Sequence, residues 1–252
     1  MIDSVTFLFS MILFANLRLQ KKTLKNKAKQ TMGQSINIYK NDLKEGIRFV
    51  LNPIILNMML PLVIANFTFS AATVVFPAFA DKFGGSTTYG ILMTCSVEGM
   101  LIGSLMSQFV SKRYAIGKAM VLAYSFSGIL WILTALSSSF SIYLSFIFLV
   151  LSGIPIGATN VIYSSLFQII PPENMIARVS SVSGSLITAA MPLGALIGGY
   201  IATLIGSGLI IACNGLTIFL LSLYWLFNKK LRTLPKVKKL EDKGFITELL
   251  GE

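Results

Sequence analysis

Seven long apolar runs, separated by polar gaps, decide what this chain of 252 residues can fold into. A helix that crosses a bilayer needs about 20 mostly apolar residues, because each residue rises about 1.5 Å through a hydrocarbon core about 30 Å thick. Only 12% of the residues are charged, which excludes an ordinary water-soluble domain. We predict an all-α, polytopic membrane helix bundle with seven transmembrane helices at residues 1–17, 57–79, 89–110, 119–136, 141–170, 180–205 and 209–227.

The basic residues occupy every second gap between these runs. Of the 21 Lys and Arg, nine lie within residues 18–48, three within 112–118, one at Arg178 and seven within 229–243. The exception is Lys82, and the gaps at 137–141 and 206–208 carry no charge. Because Lys and Arg beside membrane spans stay on the cytoplasmic side, the pattern predicts a multi-pass cell-membrane protein whose N-terminus is outside and whose C-terminus is inside.

The residue types of the chain argue against an enzyme and against a nucleic-acid binder. There is no His, and the two Cys, Cys95 and Cys213, lie in separate apolar runs, so neither a metal site nor nucleophilic catalysis is expected. No Gly-rich, Lys-ending phosphate loop is present, and no cofactor is predicted. The net charge of +11 lies directly beside the apolar runs. We therefore expect its partner to be the lipid bilayer.

The gaps divide the chain into four predicted parts. Residues 1–17 form a partial span that ends a first bundle, and residues 18–50 form a basic cytoplasmic loop. Residues 51–228 form a six-helix bundle, and residues 229–252 form a basic cytoplasmic tail. Within the loop, apolar residues recur at helical spacing, which predicts an amphipathic helix at the membrane interface. These residues are Ile36, Tyr39, Leu43, Ile47 and Val50.

Small residues recur four apart in two of the spans. One stripe contains Cys95, Gly99, Gly103 and Ser107, and the other contains Gly194 and Gly198. Such stripes let helix backbones approach closely. Each stripe lies in the second helix of a three-helix group, which is the weak internal symmetry expected of inverted repeats in transporters.

The fifth span contains Pro155 between two glycines, within residues 153–157. A proline removes a backbone hydrogen bond and kinks a helix. We predict an interrupted helix here, which marks either a substrate site or a purely structural kink.

Glu98 is the one acidic residue that lies deep inside a predicted span. A charge at such a depth costs about 2.5 kcal/mol or more, so acids there usually serve a function. One interpretation is that Glu98 exchanges protons or faces a cationic substrate. The other is that it stays protonated and hydrogen-bonds a neighbouring helix through Asn66, Asn160 or Asn214.

Three stretches resemble a known family. Residues 42–49, Asp-Leu-Lys-Glu-Gly-Ile-Arg-Phe, resemble the lead-in to the seventh helix of drug exporters of the major facilitator superfamily, a branch that includes macrolide-efflux proteins. Residues 168–173, closing on Arg178, are similar to the loop between that branch's tenth and eleventh helices, although Ala177 stands where the family usually has Gly. Gly103, followed by Lys112 and Arg113, looks like a degraded copy of its basic loop motif.

The resemblance implies that the seven spans correspond to helices six to twelve of the major facilitator fold. Such transporters bind substrate between two bundles and rock one bundle against the other. The resemblance places Glu98 as the proton-coupling or substrate residue and Lys112, Arg113 and Arg178 as latches or lipid anchors, or as topology signals alone. It implies cavity-lining roles for Asn66, Phe69, Glu98, Asn160, Tyr163 and Met191.

The implied function is secondary active transport. The chain would export hydrophobic or amphipathic drugs such as macrolides, driven by protons, together with a separate N-terminal transporter half. The alternative is a truncated, non-transporting remnant or a membrane-embedded binding protein.

Overall fold

A computed structural model of the protein describes residues 6–11, 13 and 32–240. Residues 6–11 and 13 are helical, and the rest of the first predicted span, residues 18–31 and residues 241–252 lie outside the described residues. Packing divides the chain into two compact units, Met1–Asn41 and Asp42–Glu252. The second unit contains six helices that are long and apolar enough to cross a membrane.

All the regular elements of the described part are helices. The helices are α1 Met32–Val50, α2 Pro53–Val74, α3 Phe76–Ala80, α4 Ser86–Arg113, α5 Ile116–Ser137, α6 Ile142–Ile169, α7 Ile176–Ile205, α8 Ser207–Phe227, α9 Lys229–Arg232 and α10 Val237–Leu240. The six candidate membrane spans are α2, α4, α5, α6, α7 and α8.

The first of these spans begins and ends earlier than the sequence predicted. The Asn52 side chain accepts a hydrogen bond from the Ile54 backbone N–H at 3.1 Å, and Pro53 occupies the first helical position. Both features favour a helix start. Helix α2 then ends at Val74, and residues 76–80 form the separate short helix α3.

Among spans that are not consecutive in the chain, three pairs pack most extensively, α2 with α7, α4 with α6, and α5 with α8. The consecutive helices α5 and α6 also pack extensively. In terms of two three-helix groups, α2–α4–α5 and α6–α7–α8, the first helix of each group packs on the second helix of the other. The third helices pack on each other. This exchange of partners is what two structurally equivalent repeats produce.

Glycine makes these close pairings possible. A Cβ on Gly103 would overlap the carbonyl of Ile154, and a Cβ on Gly99 would overlap that of Val150. Gly198 packs in the same way against Ala71 of α2, and Gly128 of α5 faces Gly215 of α8. The stripes predicted from the sequence therefore lie at helix contacts.

The predicted interruption of the fifth span is wrong. Helix α6 continues from Ile142 to Ile169 with Pro155 inside it. Gly153 and Gly157 lie against the backbone of Gly99 and Met100 on α4. The glycines around Pro155 therefore serve the α4–α6 contact.

Candidate functional site

A cavity of about 110 Å³ opens among five helices of the bundle. It lies near the middle of the spans, since Met100 is close to the centre of α4 and Gly153 and Ile156 to the centre of α6. Its walls come from α2, α4, α5, α6 and α8, and none comes from α7. The lining residues are Leu62, Ala65, Asn66, Phe69, Ser96, Met100, Tyr124, Trp131, Leu149, Ser152, Gly153, Ile156, Thr159, Asn160 and Ile218.

Most polar groups in the cavity are already bonded to their own helices. The Ser96 hydroxyl donates to the Met93 carbonyl at 2.7 Å, and the Thr159 hydroxyl donates to the Ile156 carbonyl at 2.9 Å. The Asn66 amide nitrogen donates to the Leu62 carbonyl at 2.9 Å, which leaves its side-chain oxygen as an acceptor. Asn160 is exposed, and its side chain makes no hydrogen bond within residues 32–240. Asn160 therefore offers both a donor and an acceptor to a ligand.

Aromatic rings form the apolar side of the cavity. The rings of Phe69 and Trp131 meet edge to face at 6.1 Å, and Trp131 also stacks on Phe76 at 6.2 Å. The Tyr124 hydroxyl lies 3.5 Å from the Tyr163 hydroxyl. The ring of Tyr163 packs behind Tyr124, against the ring of Trp225. No Asp, Glu, Lys or Arg lines this cavity in the described part of the chain.

The basic ends of the spans carry a second group of polar contacts. Arg178, in the first turn of α7, forms ion pairs with Asp42 at 2.8 Å and with Glu45 at 2.5 Å, both on α1. Between these helices, Gly46 lies so close that an added Cβ would be 3.3 Å from the Arg178 carbonyl oxygen. The C-terminal half of α1 is therefore attached to the start of α7.

A family model described as the Major Facilitator Superfamily matches residues 1–195 and 58–250 of the sequence. The chain belongs to the major facilitator superfamily. It is a multi-pass membrane protein, as its six candidate spans also indicate.

One known protein to which the chain is similar is the multidrug efflux pump Tap of Mycolicibacterium fortuitum. The two proteins are 28% identical over 201 residues, which cover 77% of this chain. The match covers 48% of Tap, so the chain spans about half the length of this relative. No solved structure matches the chain.

Three of the six cavity residues predicted from the resemblance lie together in the cavity of this superfamily member, namely Asn66, Phe69 and Asn160. Tyr163 lies behind the wall, 2% exposed, where its hydroxyl meets that of Tyr124. Met191 is on α7, outside the cavity. The role of each of these residues in transport stays a prediction.

Glu98 lies on the far side of α4 from the cavity. Ser96 and Met100 line the cavity, and a residue two positions from each of them projects about 160° away around the helix. The Glu98 side chain is exposed beside Val97 and Leu101, which are 63% and 59% exposed. The prediction of a hydrogen bond from Glu98 to Asn66 or Asn160 is therefore wrong. Asn214 is also not its partner, because both polar atoms of that side chain lack a hydrogen bond within residues 32–240.

The residues of the basic loop motif have separate positions. Gly103 is buried in the α4–α6 contact, whereas Lys112 and Arg113 are exposed in the last turn of α4. Of the three cations, Arg178 alone forms an ion pair within the described residues.

Several groups at these sites were not among the sequence predictions. Ser96, Met100, Tyr124 and Trp131 line the cavity. The stripe of small residues predicted the face of α4 that packs on another helix, but neither α4 nor α5 has an amphipathic pattern that marks the residues facing the cavity. Asp42 and Glu45 entered the sequence predictions only as part of the stretch of residues 42–49 that resembles the known family. The shared cytoplasmic side predicted for residues 18–50 and Arg178 was the signal that could have suggested their pairing.

Proposed function

We propose that residues 51–228 form the second bundle of a secondary transporter that exports small hydrophobic or amphipathic compounds, including macrolides. The cavity among α2, α4, α5, α6 and α8 is its share of the substrate site. The observation that carries this proposal is a mid-membrane cavity that combines the unpaired amide of Asn160 and the free side-chain oxygen of Asn66 with aromatic walls. Polar groups orient a ligand there, while Phe69, Trp131 and Met100 provide adaptable apolar contact.

The size of the cavity supports a site shared between two bundles. Sites for drug-sized ligands have volumes of roughly 300–1,000 Å³, whereas this cavity measures about 110 Å³. It is large enough for one part of such a ligand. In our proposal a first bundle, of which residues 1–17 are the end, covers the remainder, and residues 18–50 connect the two bundles.

We further propose that transport is coupled to protons and that the N-terminus is outside and the C-terminus inside the cell. Glu98 is the candidate for the coupling group, because an exposed carboxyl among apolar side chains is costly when it faces lipid. Glu98 lies on the outer face of α4, so in this proposal it acts outside the cavity of this bundle.

Tryptophan fluorescence tests ligand binding in the cavity. The chain has two Trp, of which Trp131 lines the cavity and Trp225 does not. Erythromycin and ethidium titrated into purified protein should quench Trp131 emission in a Trp225→Phe background and leave a Trp131→Phe variant unaffected. Asn160→Ala should weaken erythromycin binding about fivefold, the value of one hydrogen bond. Ser164→Ala, a change at an exposed position of the same helix outside the cavity lining, should not.

Cellular accumulation of the same compounds separates transport from binding. Cells that express the chain together with an N-terminal half should accumulate less ethidium, and Glu98→Gln should abolish the response to a collapsed proton gradient. Quenching without any change in accumulation would favour a membrane-embedded binding protein. Neither quenching nor export would favour a non-transporting remnant.

A further inference from the structure

A second cavity lies at the end of the bundle where α5 begins and α8 ends. It is an open groove of about 600 Å³. Val121 and Leu122 of α5 and Leu226 of α8 provide apolar walls, and two cations, Lys118 and Arg232, line the same groove. Both cations are exposed.

The segment after α8 folds back to form one side of this groove. The Ile116 backbone N–H donates to the Pro235 carbonyl at 3.1 Å, and the Gly117 N–H donates to the Leu234 carbonyl at 3.4 Å. Leu231 and Leu234 are 0% and 2% exposed. These contacts attach the segment to the start of α5, so Arg232 and Lys118 line one preformed groove.

The two cations have no anionic partner in the described part of the chain. The ion pairs found within residues 32–240 are those of Arg178. Lys118 lies one helical turn from Leu122, which is 60% exposed. Positive charge therefore adjoins an apolar surface at the boundary of a membrane span.

We propose that this groove binds an anionic glycerophospholipid. Its phosphate lies between Lys118 and the guanidinium of Arg232, and an acyl chain lies along Val121, Leu122 and Leu226. The ammonium group of Lys and the guanidinium group of Arg both bind phosphate oxygens through charge-assisted hydrogen bonds. Basic pockets between membrane helices are the kind of site where anionic headgroups bind. The apolar walls favour a lipid over a free phosphate ion.

Binding of fluorescent phosphatidylglycerol to the purified chain in detergent tests this proposal. Each cation near an anionic lipid contributes about fivefold in affinity. The double variant with Lys118→Gln and Arg232→Gln should therefore raise the Kd for the lipid about 25-fold. Lys236→Gln with Lys238→Gln is the matched control, because it removes the same charge from two exposed positions outside the groove. Its Kd should remain within about twofold of the wild type. Circular dichroism and the thermal midpoint establish that both variants are folded.

Three results would overturn the proposal. The first is a Kd for Lys118→Gln with Arg232→Gln within twofold of the wild type. The second is an equal loss in the control pair, which would indicate diffuse attraction between the basic end and any anionic surface. The third is equal competition by inorganic phosphate or glycerol phosphate, which would indicate a simple anion site. Failure of phosphatidylcholine to compete, with effective competition by unlabelled phosphatidylglycerol, supports the lipid site.

Discussion

At the scale of single residues, glycines set the distances between the spans. Gly99 and Gly103 bring the backbone of α4 against that of α6, and Gly198 brings α7 against α2. In lipid there is little hydrophobic gain from bringing helices together, so van der Waals contact at small residues provides much of the association energy. A single added methyl group at such a contact should therefore destabilise the bundle.

The Gly103→Ala variant tests this expectation. Its Cβ would overlap the Ile154 carbonyl, and overpacking of this kind costs about 1–3 kcal/mol. We expect a lower thermal midpoint for the detergent-solubilised protein. Gly90→Ala is the matched control on the same helix, because nothing lies within 4 Å of its added Cβ. Alanine there should leave stability unchanged or raise it by up to about 1 kcal/mol. Equal destabilisation by both substitutions would contradict the role of close packing at Gly103.

At the scale of elements, the C-terminal half of α1 is attached to the start of α7 through Arg178. Asp42 and Glu45 lie three residues apart, so both carboxylates project from one face of α1 and reach the same guanidinium. The Arg178 side chain is 32% exposed. Exposed ion pairs contribute at most about 1 kcal/mol each, so we expect an effect on the local opening of α1 and not on global folding.

Charge reversal at Arg178 should loosen this attachment. We expect Arg178→Glu to accelerate amide hydrogen exchange in residues 42–50 about fivefold, because two attractive pairs become repulsive. Combining it with Asp42→Arg and Glu45→Arg should restore protection. Arg113→Glu makes the same charge change at a position without an ion pair among the described residues, and exchange should stay at the wild-type rate. Unchanged exchange in the Arg178 variant would show that the pairs do not stabilise α1.

At the scale of the whole molecule, the six spans place the basic residues of the connections at one end of the bundle. The connections after α4 and α6, residues 42–52 before α2 and the segment after α8 all belong to this end, because the spans alternate in direction. Lys82 is the basic residue of the opposite end in the described part. A membrane protein with this asymmetry is expected to have the basic end in the cytoplasm.

Cysteine labelling of intact cells tests the predicted orientation. In a background with Cys95→Ala and Cys213→Ala, Thr87→Cys and Ser139→Cys should react with a membrane-impermeant maleimide, whereas Tyr114→Cys should not. All three sites are exposed. Lysed cells control for the reactivity of Tyr114→Cys. Labelling of Tyr114→Cys alone in intact cells would contradict the predicted orientation and indicate the opposite one.

The sequence by itself determined that this protein is a membrane bundle and where most of its spans lie. Length, apolarity and the location of Lys and Arg are local properties, so no knowledge of the packing is needed to interpret them. The rotation of each span about its own axis was a different matter. Apart from the stripes of small residues, most of the spans have no amphipathic pattern that indicates which face points inward.

Only the tertiary structure decided those rotations, because they depend on contacts between helices that are far apart in sequence. The α4–α6 contact turns Ser96 and Met100 toward the cavity and Glu98 away from it, and the hydroxyl contact with Tyr124 places Tyr163 behind the wall. The pairing of Arg178 with Glu45 likewise joins residues that are 133 positions apart.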